Sequence, residues 1–301
     1  LGFNNGIYDL DKQTFRDGRP EDYVSLSVGY NHDSSFDKTD DIYKECNRFI
    51  EQVLPIPSVR RYTMRLLASC MRGLNSSEHF YIWTGSGGNG KSKLTDLFSN
   101  TLGEYSTVLD ISLLTQKRGK SGAASPELFQ TIGKRFCSMQ EPEKNDKLEL
   151  GHMKELTGND TILTRGLFRD SVKFTPQFNL ILMCNELPAV PGDDEGTWRR
   201  IRVVDFPAKF VDRTEDVDLD AYRYLKDTSM KEKLVNWNGV FMWMLLDYYK
   251  DYLREGLMEP AEVTSKTDEY QEESNIIKAF YTSNYKLPKN ITKCEEKTTK
   301  E

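Results

Sequence analysis

One octapeptide constrains this chain more than any other feature. Gly85-Ser86-Gly87-Gly88-Asn89-Gly90-Lys91-Ser92 satisfies G-x-x-x-x-G-K-[ST] in full. Phe80-Tyr81-Ile82-Trp83 before it reads as a buried strand, and the residues from Lys91 onward read as a helix with Leu94, Leu97 and Phe98 on one face. Glycines matter in such a turn because side chains would hold the backbone away from a phosphate. Backbone N–H groups must converge there at a helix N-terminus. Lys91 would put a point charge on the β- and γ-phosphates, and the Ser92 hydroxyl would ligate Mg²⁺. A nucleoside triphosphate, expected to be ATP with Mg²⁺, follows from the strand, turn and helix together. Its use does not, because many kinases, switches and motors share this loop.

Hydrolysis needs an acid at the end of a neighbouring strand, to hold the metal or polarise water. The run Phe136-Cys137-Ser138-Met139-Gln140 delivers an apolar strand to Glu141, the candidate metal-associated acid, with Glu143 as a second candidate. A further strand, Phe178 to Cys184, ends at Asn185. An amide there can orient the attacking water without adding negative charge. Thr197-Trp198-Arg199-Arg200-Ile201 then leads into a strand ending at Phe206. A guanidinium such as Arg200, supplied by an adjacent subunit, would stabilise charge on the transferring phosphoryl group.

These strands alternate with helical stretches between residues 80 and 210, the pattern of an α/β sheet covered on both faces. Ahead of it, Gly6 to Leu10 and Tyr23 to Leu26 read as short strands, and Asp40 to Val53 and Ser58 to Met71 read as two helices around the Pro55-Ile56-Pro57 break. Beyond residue 211, one helix is expected over Met230 to Leu253, with Leu234, Trp237, Phe241, Met244 and Tyr248 as a core stripe, followed by a polar tail. The expected organisation is a small β-containing segment over 1–38, a helical collar-like region over 39–76, an ATPase core over 77–212, and a C-terminal helical region over 213–301.

Composition excludes a few classes. The longest apolar stretch, Val240 to Leu246, falls short of the roughly 20 residues a bilayer span needs, so no membrane segment is expected. Five cysteines stand singly, and His32, His79 and His152 lie apart from them, so neither a zinc site nor a disulfide framework is expected. A reducing, intracellular compartment fits. Lys and Arg number 41 against 47 Asp and Glu, a net charge of −6, which constrains a nucleic-acid partner little, because a ring needs basic groups only where the strand passes. The chain opens on Leu1 with no basic, apolar leader behind it, and both ends are expected to be cuts from a longer protein.

Taken in order, the four motifs resemble those of superfamily 3 helicases, in the branch of poxvirus, giant-virus and satellite-phage primase-helicases. The resemblance covers roughly Phe80 to Phe210. It includes Ser125-Pro126-Glu127-Leu128, Leu156-Thr157-Gly158-Asn159-Asp160 and Trp198-Arg199-Arg200-Ile201, and the opening Asn5-Gly6-Ile7-Tyr8-Asp9-Leu10 resembles the segment preceding the motor. It implies that Gly85 to Ser92 is motif A, Glu141 the motif B acid, Asn185 the motif C sensor and Arg200 the arginine finger. Many members carry two adjacent acids in motif B, whereas here Gln140 precedes Glu141 and Pro142 follows, so Glu141 and Glu143 both stay open as the activating carboxylate.

The resemblance also implies an AAA+ core in a hexameric ring that binds ATP between subunits, encloses single-stranded DNA, unwinds forked DNA during replication, and follows an upstream primase domain. Residues 1 to 75 show no clustered carboxylates suited to primer synthesis. DNA contact in these motors comes from a hairpin between motifs B and C. Thr161 to Phe174 has that outline: Arg165, Arg169 and Lys173 would meet phosphates, and Phe168 would stack on a base. Lys117-Arg118-Gly119-Lys120 is a second basic segment. The competing expectations are a remodelling ATPase acting on protein and a replisome scaffold with a structural nucleotide site.

Overall fold

The computed structural model describes residues 1–116, 124–140, 142, 147–191 and 194–275. The chain begins with an antiparallel meander, β1 (Gly2–Phe3), β2 (Gly6–Asp9) and β3 (Thr14–Arg16). The strand expected at Tyr23 to Leu26 is instead irregular backbone. Its polar groups are met singly: the Tyr105 hydroxyl donates to the Leu26 carbonyl at 2.6 Å, and Glu104 accepts from the Ser27 N–H at 2.7 Å. Satisfied this way, the segment needs no ladder partner.

Two helices follow. α1 (Asp41–Val53) buries Cys46, Phe49, Ile50 and Val53, the three-and-four spacing of one helical face, and it stops before Pro55. α2 (Pro57–Cys70) starts with Pro57 inside its first turn, where a missing N–H costs nothing.

The centre is β4 (Phe80–Thr84), α3 (Lys91–Leu102), β5 (Ser106–Val108), α4 (Ser112–Thr115), α5 (Pro126–Phe129), β6 (Phe136–Gln140), α6 (Leu150–Thr157), a hairpin of β7 (Ile162–Arg165) and β8 (Ser171–Phe174), β9 (Asn179–Met183), α7 (Glu195–Trp198) and β10 (Ile201–Asp205). Five of these strands form a sheet in the order β10-β4-β9-β6-β5, with every neighbouring pair parallel. β4 and β9 are buried at every residue, the mark of strands covered on both faces.

A parallel ribbon of β11 (Lys209–Val211) and β12 (Arg223–Leu225) follows β10. The single helix expected from Met230 is two, α8 (Met230–Asn236) and α9 (Asn238–Glu255), meeting at Trp237. The stretch read as the start of a polar tail holds α10 (Ala261–Ser274). That helix lies along the edge strand β10, where the Thr267 hydroxyl accepts from the Val203 N–H at 3.0 Å. An unpaired edge donor is thereby satisfied and the sheet edge is covered.

One apolar cluster joins the meander, α1, α2, α3 and α9 on one side of the sheet, and a second fills the other side around Leu113, Met153, Trp198 and Tyr270. The parts before and after the sheet therefore share a single core. Trp237, 2% exposed and 5.6 Å from the Phe49 ring, sits at its centre. Trp237→Ala is expected to cost about 3–5 kcal/mol, as large aromatic deletions in cores do. Chemical denaturation checks it, and a loss below about 1 kcal/mol would mean that the site collapses around the cavity.

Candidate functional site

The octapeptide links the end of β4 to the start of α3. Its shape depends on two glycines. Gly85 has φ +136, and a Cβ there would lie 2.6 Å from the Phe206 carbonyl oxygen. Gly90 caps α3 with φ +86, and a Cβ would lie 2.6 Å from Val53 Cγ2. Neither position admits a side chain. Asn89, 3% exposed, folds the turn from inside: its Nδ2 donates to the Phe206 carbonyl at 3.3 Å, and its Oδ1 accepts from the Lys91 N–H at 3.3 Å.

Ser86, Gly87 and Gly88 form the exposed rim of this turn. Lys91 is 5% exposed, and its ammonium donates to the Gly85 carbonyl at 2.8 Å and to Asn185 Oδ1 at 3.4 Å. Ser92 is exposed in the first turn of α3. A backbone cradle that a Cβ would fill, an open hydroxyl and the N-terminus of a twelve-residue helix fit a triphosphate and its Mg²⁺. Asn185 follows β9, next to β4, so the turn and the amide share the C-terminal edge of the sheet. Burial pushes the thiol of Cys184 beside it up to about 11, although Lys91 and Thr84 pull the other way.

β6 runs next to β9 and ends at Gln140 on the same edge, paired with Met183. Glu141 and Glu143 lie outside the described residues, as does Lys117 to Lys120.

Arg200 stands at the other edge. Its carbonyl accepts from the Phe80 N–H at 2.7 Å, at the start of β4. The five residues of β4, roughly 16 Å at about 3.3 Å per residue, separate it from its own phosphate turn. Its Nη2 donates to Glu78 Oε2 at 2.9 Å and its Nη1 to the Gly196 carbonyl at 2.9 Å. A cleft of about 560 Å³ opens beside it, lined also by Glu149, His152, Lys154, Glu155 and Asp160. Glu78, which sequence reasoning missed, holds a left-handed backbone at φ +52 and lies 3.6 Å from Arg199 as well.

The β7–β8 hairpin pairs Leu163 with Lys173 and Arg165 with Ser171, so Arg165 and Lys173 share one exposed face. Phe168 is fully exposed at the tip with φ +56. Arg169 is exposed beside the tip, and its guanidinium lies 5.3 Å over the Phe129 ring, which ties the tip to α5. Sequence reasoning also missed the ribbon docked on the phosphate turn, where the Phe210 N–H donates to the Gly88 carbonyl at 2.8 Å and Lys209 Nζ to the Gly87 carbonyl at 2.6 Å.

Residues 83–200 match a family described as of unknown function, DUF5906. The protein named "Putative helicase L207/L206" of Acanthamoeba polyphaga mimivirus is 42% identical over 286 residues, covering 93% of this chain and 30% of that protein. "Putative helicase 121R" of Invertebrate iridescent virus 3 is 31% identical over 303 residues, covering 95% of this chain and 32% of that protein. Further matches carry helicase names in Frog virus 3 and Sputnik virophage and a primase name in African swine fever virus. This chain is a relative of those viral helicases and primases. That agrees with the primase-helicase branch its motif order resembles. The chain spans about a third of the length of these two viral proteins. Among solved structures, the C-terminal region of NrS-1 superposes with a TM-score of 0.55 at 14% identity, over 82% of this chain and 55% of that one, and so shares the fold.

Proposed function

We propose that this chain is the ATP-driven motor of a superfamily 3 helicase, an AAA+-type P-loop ATPase that works as a hexameric ring, moves on single-stranded DNA and unwinds forked DNA in viral replication. The observation that carries this reading is the approach of Lys91 to Asn185 at 3.4 Å: a phosphate-binding cation and a polar sensor meet where a γ-phosphate would lie. The helicase names of the relatives support the same role. Bound Mg²⁺, held by Ser92 and Glu141, would neutralise charge developing on the phosphates. Lys91 would orient the γ-phosphate and Asn185 the attacking water. Arg200 is too far from its own turn to assist there, so it would serve the pocket of the neighbouring subunit. The longer protein would carry a primase domain upstream.

Arg165, Lys173 and the tip Phe168 would line the channel, with Arg169 holding the tip in place. Arg165, Arg169 and Lys173, changed together to alanine, are expected to weaken binding of an oligodeoxythymidylate at least about tenfold. The salt slope should also fall by about 0.7 for each phosphate that the hairpin no longer neutralises. Stimulation of ATP hydrolysis by that oligonucleotide should vanish with it. Fluorescence anisotropy across a salt series reads both quantities, and unchanged affinity and slope would remove DNA from the hairpin.

A further inference from the structure

We propose that Lys209 is a second cation of the nucleotide site, one that leaves the Gly87 carbonyl to bond the phosphates of a bound nucleoside triphosphate. The proposal rests on the nucleotide-site reading above and adds a residue that no motif predicts.

Two ammonium groups touch the same short turn: Lys91 Nζ on the Gly85 carbonyl at 2.8 Å and Lys209 Nζ on the Gly87 carbonyl at 2.6 Å. Lys91 is buried and built into α3, whereas Lys209 is exposed and reaches the turn from β11. Its ammonium would lie 3.6 Å from a Cβ placed on Gly88, so it stands directly over the open rim. The bond is not needed to dock the ribbon, because the Phe210 N–H already fastens β11 to the Gly88 carbonyl at 2.8 Å. Phe210 packs on the same turn, its Cε2 being 3.1 Å from a Cβ placed on Gly90, and its ring lies 5.9 Å from Tyr224.

Charge decides what Lys209 wants. Lys226 on the same ribbon is paired with Asp212 at 2.8 Å, while Lys209, among the described residues, is bonded to a neutral carbonyl. A phosphate carrying one or more negative charges outcompetes a neutral carbonyl for an ammonium, since two opposite full charges attract more strongly than a charge and a dipole. The four-carbon stem lets Nζ swing a few ångströms with the backbone of β11 held still. The ribbon would thereby register whether the turn is occupied.

Binding of ATP, ADP and AMP to the chain, to Lys209→Ala and to Lys209→Arg tests this, with Lys91→Ala alongside. Lys209→Ala is expected to raise the Kd for ATP about tenfold, with a smaller effect on ADP and least on AMP, and Lys209→Arg to recover most of the loss. A purely structural role would shift all three nucleotides equally together with the Tm of the free chain, and that outcome overturns the proposal. If Lys91→Ala loses ATP while Lys209→Ala binds as before, Lys209 is not in the site and the nucleotide reading stands. If both variants bind ATP as the parent does, the nucleotide reading falls and takes this proposal with it.

Discussion

Lys91→Ala is expected to remove ATP hydrolysis, by on the order of a thousandfold, and to weaken ATP binding roughly tenfold to a hundredfold. The ammonium sits where the turn, α3 and Asn185 converge, and it is the deepest cation of the turn, at 5% exposure. Its removal takes away a charge placed before the substrate arrives, and water entering the gap is a weak substitute because it must reorganise. The fold should survive. Lys91 opens α3, alanine is the best helix former, and the turn keeps its shape through Asn89 and the two constrained glycines. Lys93, exposed and paired with Asp96 at 3.1 Å, gives the matched control: Lys93→Ala should hydrolyse ATP as the parent does. Steady-state phosphate release and binding of a fluorescent ATP analogue separate the two effects. Equal activity in Lys91→Ala and Lys93→Ala would end the motor reading.

The sequence spelled out what is local. β4 and β9 carry the apolar runs Phe80 to Trp83 and Leu180 to Met183, of a length that suits a buried strand, and the glycine-rich turn announces itself because glycine and lysine stand at fixed places. The hairpin was legible for a similar reason: two short β-prone runs flank a turn that contains Gly166. α10 was hidden because its buried face is only Val263, Thr267 and Tyr270, and a threonine that satisfies an edge-strand donor looks like a polar residue in a tail. The break at Trp237 was hidden too, since α8 and α9 continue the same stripe in nearly the same direction of burial. Glu78 and Lys209 could not be found at all from periodicity. Their meaning comes from partners more than a hundred residues away, Arg200 for one and Gly87 for the other, and only the folded chain brings each pair together. The contact of Arg169 with Phe129 was hidden for the same reason, since the place of that aromatic depends on α5.

Arg200→Ala should lower hydrolysis on the order of a thousandfold or more, since an arginine supplied across an interface contributes about 10³ to 10⁵ in comparable phosphoryl transfers. The loss should be in turnover more than in ATP affinity, because a finger at Arg200 would meet charge that grows as the bond to the leaving group breaks. Sheet geometry dictates the sharper test. Arg200 is at the start of β10 and Lys91 beyond the end of β4, so one subunit cannot join them in one pocket. Lys91→Ala subunits keep their guanidinium and Arg200→Ala subunits keep their phosphate cation. An equimolar mixture therefore rebuilds roughly one interface in four by random head-to-tail assembly. Activity should return on mixing two inactive preparations, and only at concentrations where they assemble. Glu78 pairs with the guanidinium at 2.9 Å, a contact that a neighbour's phosphate would have to displace, and Arg199, 63% exposed, is the adjacent group that must be ruled out. Arg199→Ala mixed with Lys91→Ala supplies that comparison. Recovery from the Arg199 mixture and none from the Arg200 mixture would move the finger by one residue. No recovery from either, with rings visible by light scattering, would place hydrolysis within single subunits and break the link between assembly and catalysis.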